Sequence, residues 1–333
     1  MHPAKLVTIR FTKTFQELDS MSIEIFSSTK INQLSKLLNQ IGRHGFRTWP
    51  KDPENLLNDL NASRIDAKTD IFIEISDKRL TGYSLVIPET DIGRVVIGIG
   101  FCEKYSRTSD DLLEAAIARA KQYKVRRVHT AVAGCSDLSL KLLRKKQFKP
   151  IIDTLEMSVK RAELPLIKDI NIPEGFTFRS MHQEKDLEIL SRIQNRTFAN
   201  HWGYSKNSKE DIVSRLSLKD TGNEHVTFSV DENNNVVGYV WTSIVRQNRR
   251  TTGRILMTGI EEKHRGKKLG RATVIKGLKH LLSIGVSEIN LEVSSRNNPA
   301  ISLYQSLGFQ QIGKLNWYEL DLDYKLSNKQ KTC

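Results

Sequence analysis

Hydrophobic residues along this chain fall mostly in short runs with the two-residue alternation of strands, separated by stretches with the spacing of amphipathic helices. Near the start, Val7, Ile9 and Phe11 alternate with Leu6, Thr8 and Arg10, a strand pattern and not the apolar region of a signal peptide. Strand-like runs at 71–75, 80–85 and 94–101 then precede a helix over 109–124, a strand over 127–132 and a short amphipathic helix ending at Phe148. The same order returns at 226–230, 237–241 and 254–260, followed by a helix over 269–284, a strand over 288–293 and a short helix ending at Phe309. A last strand is predicted over 315–322, with Tyr318, Leu320 and Leu322 on one face. From the third strand of each set the spacing is nearly constant, so that Phe148 stands 161 positions before Phe309. Matching order and spacing indicate an internal duplication. Each copy calls for a mixed sheet flanked by helices, an α/β fold. Two tandem domains are therefore expected over 1–160 and 176–326, joined by a linker at 161–175 that contains Pro165 and Pro173.

Composition adds constraints of a different kind. The 333 residues, 38% hydrophobic and 27% charged, suit two ordinary cores. No apolar run reaches the roughly 18 residues that a membrane span needs. The three cysteines, Cys102, Cys135 and Cys333, form no spaced cluster, so neither a disulfide framework nor a bound metal is expected, and a reducing cytoplasm is the simplest location. A net charge of +14 suits nucleic acid, a membrane face, an anionic small molecule or a plain solvated surface. The positive residues are scattered, apart from clusters such as Lys141–Lys146 and Lys263–Arg271. They form no basic tail and match no nucleic-acid motif, so neither nucleic acid nor membrane is an expected partner.

The second cluster is where chemistry enters. The predicted strand Ile255–Ile260 runs through Glu261 and His264 into Arg265-Gly266-Lys267-Lys268-Leu269-Gly270, which opens a helix. Such a turn presents unpaired N–H groups at the positive end of the helix dipole, a site for phosphate. Gly266 and Gly270 permit close approach, and Arg265, Lys267, Lys268 and Arg271 add positive charge, so a diphosphate is the implied ligand.

After the strand 289–293 the chain reads Asn297-Asn-Pro-Ala300-Ile-Ser-Leu303-Tyr304-Gln-Ser-Leu307-Gly308-Phe309. Together the two segments resemble the GNAT superfamily of acyl-CoA-dependent N-acyltransferases. That superfamily has an Arg/Gln-x-x-Gly-x-Gly/Ala diphosphate loop followed by Asn-x-x-Ala-x-x-Leu-Tyr-x-x-Leu-Gly-Phe. The second pattern matches at seven positions, and the first at Arg265 and Gly270, with Lys268 where the central glycine is usual. The resemblance implies acetyl-CoA as co-substrate. Its pantetheine arm would lie along Thr258, Gly259 and Ile260, its diphosphate on Arg265 through Gly270 (Gly266, Lys267, Lys268 and Leu269 included), and Asn297 would touch the arm. Tyr304 would be the general acid that protonates the departing thiolate. The acceptor amine would attack the thioester directly, and among Glu261, Glu262, Glu292 and His264 the choice for general base is Glu261.

The first copy keeps this plan without the chemistry. Lys104–Ser109 stands in place of the loop with no glycine, and Leu143 replaces Tyr304, so this domain is expected to bind no cofactor productively. A degenerate first copy joined to an active second one resembles the tandem arrangement of the mycothiol synthase group. Asn195–Tyr204 is similar to that group's aromatic, His-containing segment, which implies that His201 and Trp202 line the acceptor pocket. The expected activity is acetyl transfer to the primary amine of a small molecule. Transfer to a protein or peptide amine and a non-catalytic acyl-CoA sensor remain as alternatives.

Overall fold

The computed structural model describes residues 22–41, 52–62, 64–102, 109–133, 137–164, 171–182, 185–218, 221–247 and 250–322. The expected strand at 6–11 and the loop residues 104–108 lie outside them. The first copy comprises β1 (Ser22–Ile25), α1 (Ile31–Ile41), α2 (Pro53–Ala62), β2 (Ile71–Ser76), β3 (Arg79–Glu89), β4 (Arg94–Phe101), α3 (Ser109–Gln122), β5 (Arg127–Ala133), α4 (Asp137–Lys145) and β6 (Lys149–Lys160). The second comprises β7 (Phe176–Ser180), α5 (Leu187–Phe198), α6 (Lys209–Leu216), β8 (Val226–Asp231), β9 (Val236–Gln247), β10 (Arg250–Ile260), α7 (Leu269–Ser283), β11 (Glu288–Ser294), α8 (Asn298–Gln305) and β12 (Gln310–Asp321). Among the described residues no helix is long and apolar enough to cross a membrane.

Among the described residues, twelve strands form one mixed sheet in the order β1-β2-β3-β4-β5-β12-β6-β11-β10-β9-β8-β7. The final strands of the two copies are exchanged: β6 pairs antiparallel with β11, and β12 pairs antiparallel with β5. β6 and β12 also pair with each other, so the two copies meet in mid-sheet through backbone hydrogen bonds. Two ladder irregularities, at Gln311/Gly313 and Trp317/Tyr318, bend β12 against β6.

Alternation along the strands supplies a core on each face. On one face, α1 and α2 pack on Ile73, Tyr83, Leu85 and Val96, and α5 and α6 pack on Val226, Phe228, Tyr239 and Trp241. On the other, α3 and α4 cover Val86, Val95, Ile97 and Val128, while α7 and α8 cover Val240, Ile255, Leu291 and Val293. Helix α7 lies so near β9 that a Cβ on Gly277 would stand 2.7 Å from Val240 Cγ2. The predicted helices over 109–124 and 269–284 are α3 and α7, each a residue or two shorter.

One position works against this packing. Glu74 of β2 is 0% exposed, and neither carboxylate oxygen has a hydrogen-bond partner among the described residues. It lies between the sheet and α3, where a Cβ on Gly82 would meet its Oε2 at 2.6 Å and Leu112 Cδ2 at 3.2 Å. Burial pushes the Glu74 carboxyl up to about 7, helped by the nearby charge of Asp111. The folded state therefore keeps a proton that the unfolded chain loses near the ordinary carboxylate range, so stability falls as pH rises through the interval up to about 7 and stays lower above it. The cost above that pH is on the order of 3 kcal/mol. Glu74→Gln is expected to raise the melting temperature at about pH 8 and to change it little near pH 5. Parallel thermal melts of both proteins across that range check this.

Candidate active site

Strand β10 has two different neighbours along its length. It pairs with β9 throughout, with a register shift between Ile255 and Met257. With β11 it pairs in parallel only from Thr252 to Ile255, against Glu288 to Leu291. Beyond that point β11 stays on β6 as far as Ser294, so β10 and β11 diverge and leave a wedge between them. The backbone edge of Met257–Gly259 that faces away from β9 has no strand beside it in the wedge, and an extended ligand can pair with it as a strand would. The first copy has the same opening, because β4 leaves β5 after Ile97.

Glycines let neighbouring elements close on the wedge. A Cβ on Gly259 would stand 2.6 Å from Thr197 Oγ1 and 2.7 Å from its Cβ, so α5 crosses directly over the strand here. The side chain of Thr258 instead donates to the Tyr239 carbonyl at 2.9 Å. Tyr239 itself is wholly buried, and burial holds that phenol well above its ordinary range. Its counterpart Tyr83 in the first copy is buried in the same way.

Past Ile260 the chain makes a single helical turn, Glu262–His264, and enters the basic loop. Gly266 has φ 78° and Lys268 has φ 62°, both left-handed, and Lys268 is the residue that caps α7. The lysine thus adopts the backbone conformation for which glycine is the usual choice, at a steric cost. From Gly266 to Arg271 no backbone N–H reaches an acceptor among the described residues. A Cβ on Gly266 would meet nothing within 4 Å, so the space in front of the loop is open. These donors, at the positive end of α7 and beside Lys267, Lys268 and Arg271, fit a diphosphate. Arg265 has a structural part: its Nε donates to the Ile260 carbonyl at 3.0 Å and its Nη2 to the Thr197 carbonyl at 3.3 Å. It ties the loop to the end of β10 and to α5.

On the other side of the wedge, Asn297 Oδ1 accepts from Ala300 N and caps α8. This cap sets the helix that carries Tyr304. The tyrosine is 6% exposed, with its ring centroid 5.9 Å from that of Phe309. Its hydroxyl makes no hydrogen bond among the described residues, and burial pushes it up to about 12, so the phenol keeps its proton at neutral pH. Glu261, the residue after β10, is nearly buried and is held by Arg196 Nη1 at 3.0 Å and Lys263 Nζ at 3.7 Å.

His201 and Trp202, adjacent in sequence, serve different neighbours. His201 is half-buried against Phe198, and burial followed by the charge of Arg265 lowers its imidazole below the ordinary value. Trp202 is 40% exposed; it stacks on His129 of the first copy at 5.3 Å and meets Trp317, on the exchanged strand β12, edge-on at 5.3 Å. Arg94 of β4 lies over the Trp202 ring and donates to the Gly203 carbonyl at 2.5 Å. Arg64 adds bonds to Asp211, Ser205 Oγ and the Lys206 carbonyl. The first copy therefore holds the segment between α5 and α6. Sequence reading missed these arginines, and also Tyr239 and Arg196. Only the shared Gly-Tyr pair, Gly82-Tyr83 and Gly238-Tyr239, was a signal for any of them.

Residues 187–309 match the model of the acetyltransferase (GNAT) family. A mycothiol acetyltransferase of Actinosynnema mirum is 26% identical over 222 residues, covering 66% of this chain and 69% of that protein. One from Kytococcus sedentarius is 29% identical over 152 residues, covering 45% of this chain and 49% of that protein. The chain thus spans from about half to about two thirds of these relatives. Among solved structures, a tandem GNAT protein from the clavulanic acid biosynthesis pathway superposes with a TM-score of 0.72 at 14% identity, covering 91% of this chain and 98% of that one. A GCN5-related N-acetyltransferase from Sphaerobacter thermophilus superposes with a TM-score of 0.69 at 16% identity, covering 90% and 95%. Residues 187–309 of this chain thus form a domain of the acetyltransferase (GNAT) family, in a chain whose fold is that of a tandem GNAT structure and whose sequence is similar to mycothiol acetyltransferases.

Proposed function

We propose that the protein transfers an acetyl group from acetyl-CoA to the primary amine of a small molecule, by direct attack of the amine on the thioester. The observation that carries this reading is the row of N–H groups from Gly266 to Arg271, which find no acceptor among the described residues, at the end of the wedge beside β10. The loop binds the diphosphate, and the pantetheine arm lies along Thr258, Gly259 and Ile260, its amides pairing with the open backbone edge of Met257–Gly259. The amine nitrogen forms its bond to the carbonyl carbon, and the carbon–sulfur bond breaks. Tyr304 gives its proton to the departing sulfur and regains one from solvent. The amine loses its own proton to a base, for which Glu261 is the proposed residue; Arg196 and Lys263 hold its carboxylate beside the end of β10. In this reading the first copy binds no cofactor productively and serves as the wall on which the segment bearing His201 and Trp202 is fixed, with both side chains toward the acceptor. A small-molecule acceptor is supported by the relatives that bear the name mycothiol acetyltransferase.

Saturating acetyl-CoA is expected to raise the melting temperature, and a panel of small amines should include ones that elicit thiol release. An unmoved melting temperature overturns the reading. Tyr304→Phe is expected to lower kcat by about 100-fold or more while acetyl-CoA binding, measured by calorimetry, stays the same; an undiminished kcat removes Tyr304 from the proton transfer. At Lys268, a β-branched residue suits the left-handed backbone poorly. Lys268→Val should cost about 1–2 kcal/mol and weaken acetyl-CoA binding, whereas Lys268→Gly should fold as well as the wild type. Chemical denaturation and the same calorimetry distinguish the two variants.

A further inference from the structure

Helix α5 turns Leu190, Ile193, Gln194 and Thr197 into the core and leaves its opposite face free of the sheet. After α5 the chain turns back at Gly203, φ 70°, and runs along that outer face before entering α6. Three bonds fix the returning segment. Asn195 Oδ1 accepts from Asn207 N at 2.9 Å, Asn195 Nδ2 donates to the Asn207 carbonyl at 2.9 Å, and Ser191 Oγ donates to the same carbonyl at 2.8 Å. Between helix and segment lies an open groove of about 600 Å³, lined by Arg192, Arg196, Lys206 and Lys209 together with Ser191 and Asn195.

The charge of this groove is unbalanced. Its one carboxylate, Glu188, is 3.9 Å from Lys209, and Arg196 is paired with Glu261 outside the groove. Neither Arg192 nor Lys206 has an ion-pair partner among the described residues. Cations held together on a rigid concave wall raise the local concentration of anions and supply charge-assisted donors to them. The Arg196–Glu261 pair also joins the groove to the residue that follows β10, so a molecule lodged there lies next to the proposed acetyl-transfer wedge.

We propose that this groove binds the anionic group, phosphate or carboxylate, of the amine acceptor, so that the enzyme selects small amines bearing an acid group. The inference rests on the acetyl-transfer reading, in which this side of the molecule faces the acceptor. Arg192 and Lys206 would grip the anion, with Lys209 and Arg196 around it, while the amine points past Glu261 toward the thioester.

The experiment compares phosphoethanolamine, β-alanine and ethanolamine, which bear a phosphate, a carboxylate and neither. The wild type is expected to show a higher kcat/KM for at least one acidic amine than for ethanolamine. Replacing Arg192→Ser and Lys206→Ser together should reduce that preference about tenfold or more, chiefly through KM. A variant that merely loosened the fold would lower all three rates and leave their ratio intact. An unchanged ratio, or a wild type that does not favour an acidic amine, overturns the proposal. A rise confined to the KM for acetyl-CoA overturns it too, by assigning the groove to the donor's phosphates. Calorimetry of phosphoethanolamine against the protein without acetyl-CoA reports on the groove even if no thiol is ever released, so failure of the groove and failure of the acetyl-transfer reading are told apart. Equal binding of inorganic phosphate and phosphoethanolamine in that titration counts against an acceptor site.

Discussion

Everything in this molecule depends on the backbone hydrogen bonds that β12 makes with β5 on one side and β6 on the other. A strand with unpaired edges inside a sheet would leave polar groups buried without partners, and the exchange satisfies both copies at once. It also fixes how the two copies lie. Their helices share the same two faces of a single twisted sheet, and α5 with its following segment is brought beside the β4 and β5 strands of the other copy. Arg94, His129 and Trp317 can hold Gly203 and Trp202 only because of that arrangement.

The wedge and its loop depend on smaller deviations from regularity. One register shift in β10 lets it turn from β11 while remaining on β9. Gly259 allows α5 to lie directly over the turned strand, and Arg265 ties the loop to both. The left-handed Lys268 then starts α7 with its N–H groups outward. Each of these features costs some local stability, and the surrounding contacts hold it in place. The first copy has the same wedge between β4 and β5, whereas its sequence there lacks the glycines of the basic loop.

Much of this was legible in the sequence, and the rest was hidden for identifiable reasons. Strands, helices and the duplication follow from apolar spacing, which is a local property. The basic loop is local too: Gly266 and Gly270 among cations before a helix point to an anion in any fold. The capping of α8 by Asn297 was also within reach, since the motif places that residue just before the helix. The strand exchange was not, because β6 and β12 have the same alternation whichever partner they take. Nor was the shift at Ile255/Met257, a one-residue irregularity within an ordinary apolar run. The pairing of Glu261 with Arg196 joins residues 65 apart in sequence, and the contact of Trp202 with His129 joins different copies. The buried carboxyl of Glu74 runs against expectation, since a glutamate within a strand is ordinarily read as solvent-facing.

The exchange of final strands also bears on how the chain comes to be folded during synthesis. β5 is complete early, yet the strand it needs on its open side is made only after the whole second copy has been translated. Until β12 emerges, the first copy presents an unpaired sheet edge, the kind of edge that captures other chains. The nascent protein must wait with that edge open, and its long-range closure would be the slow and aggregation-sensitive step of folding.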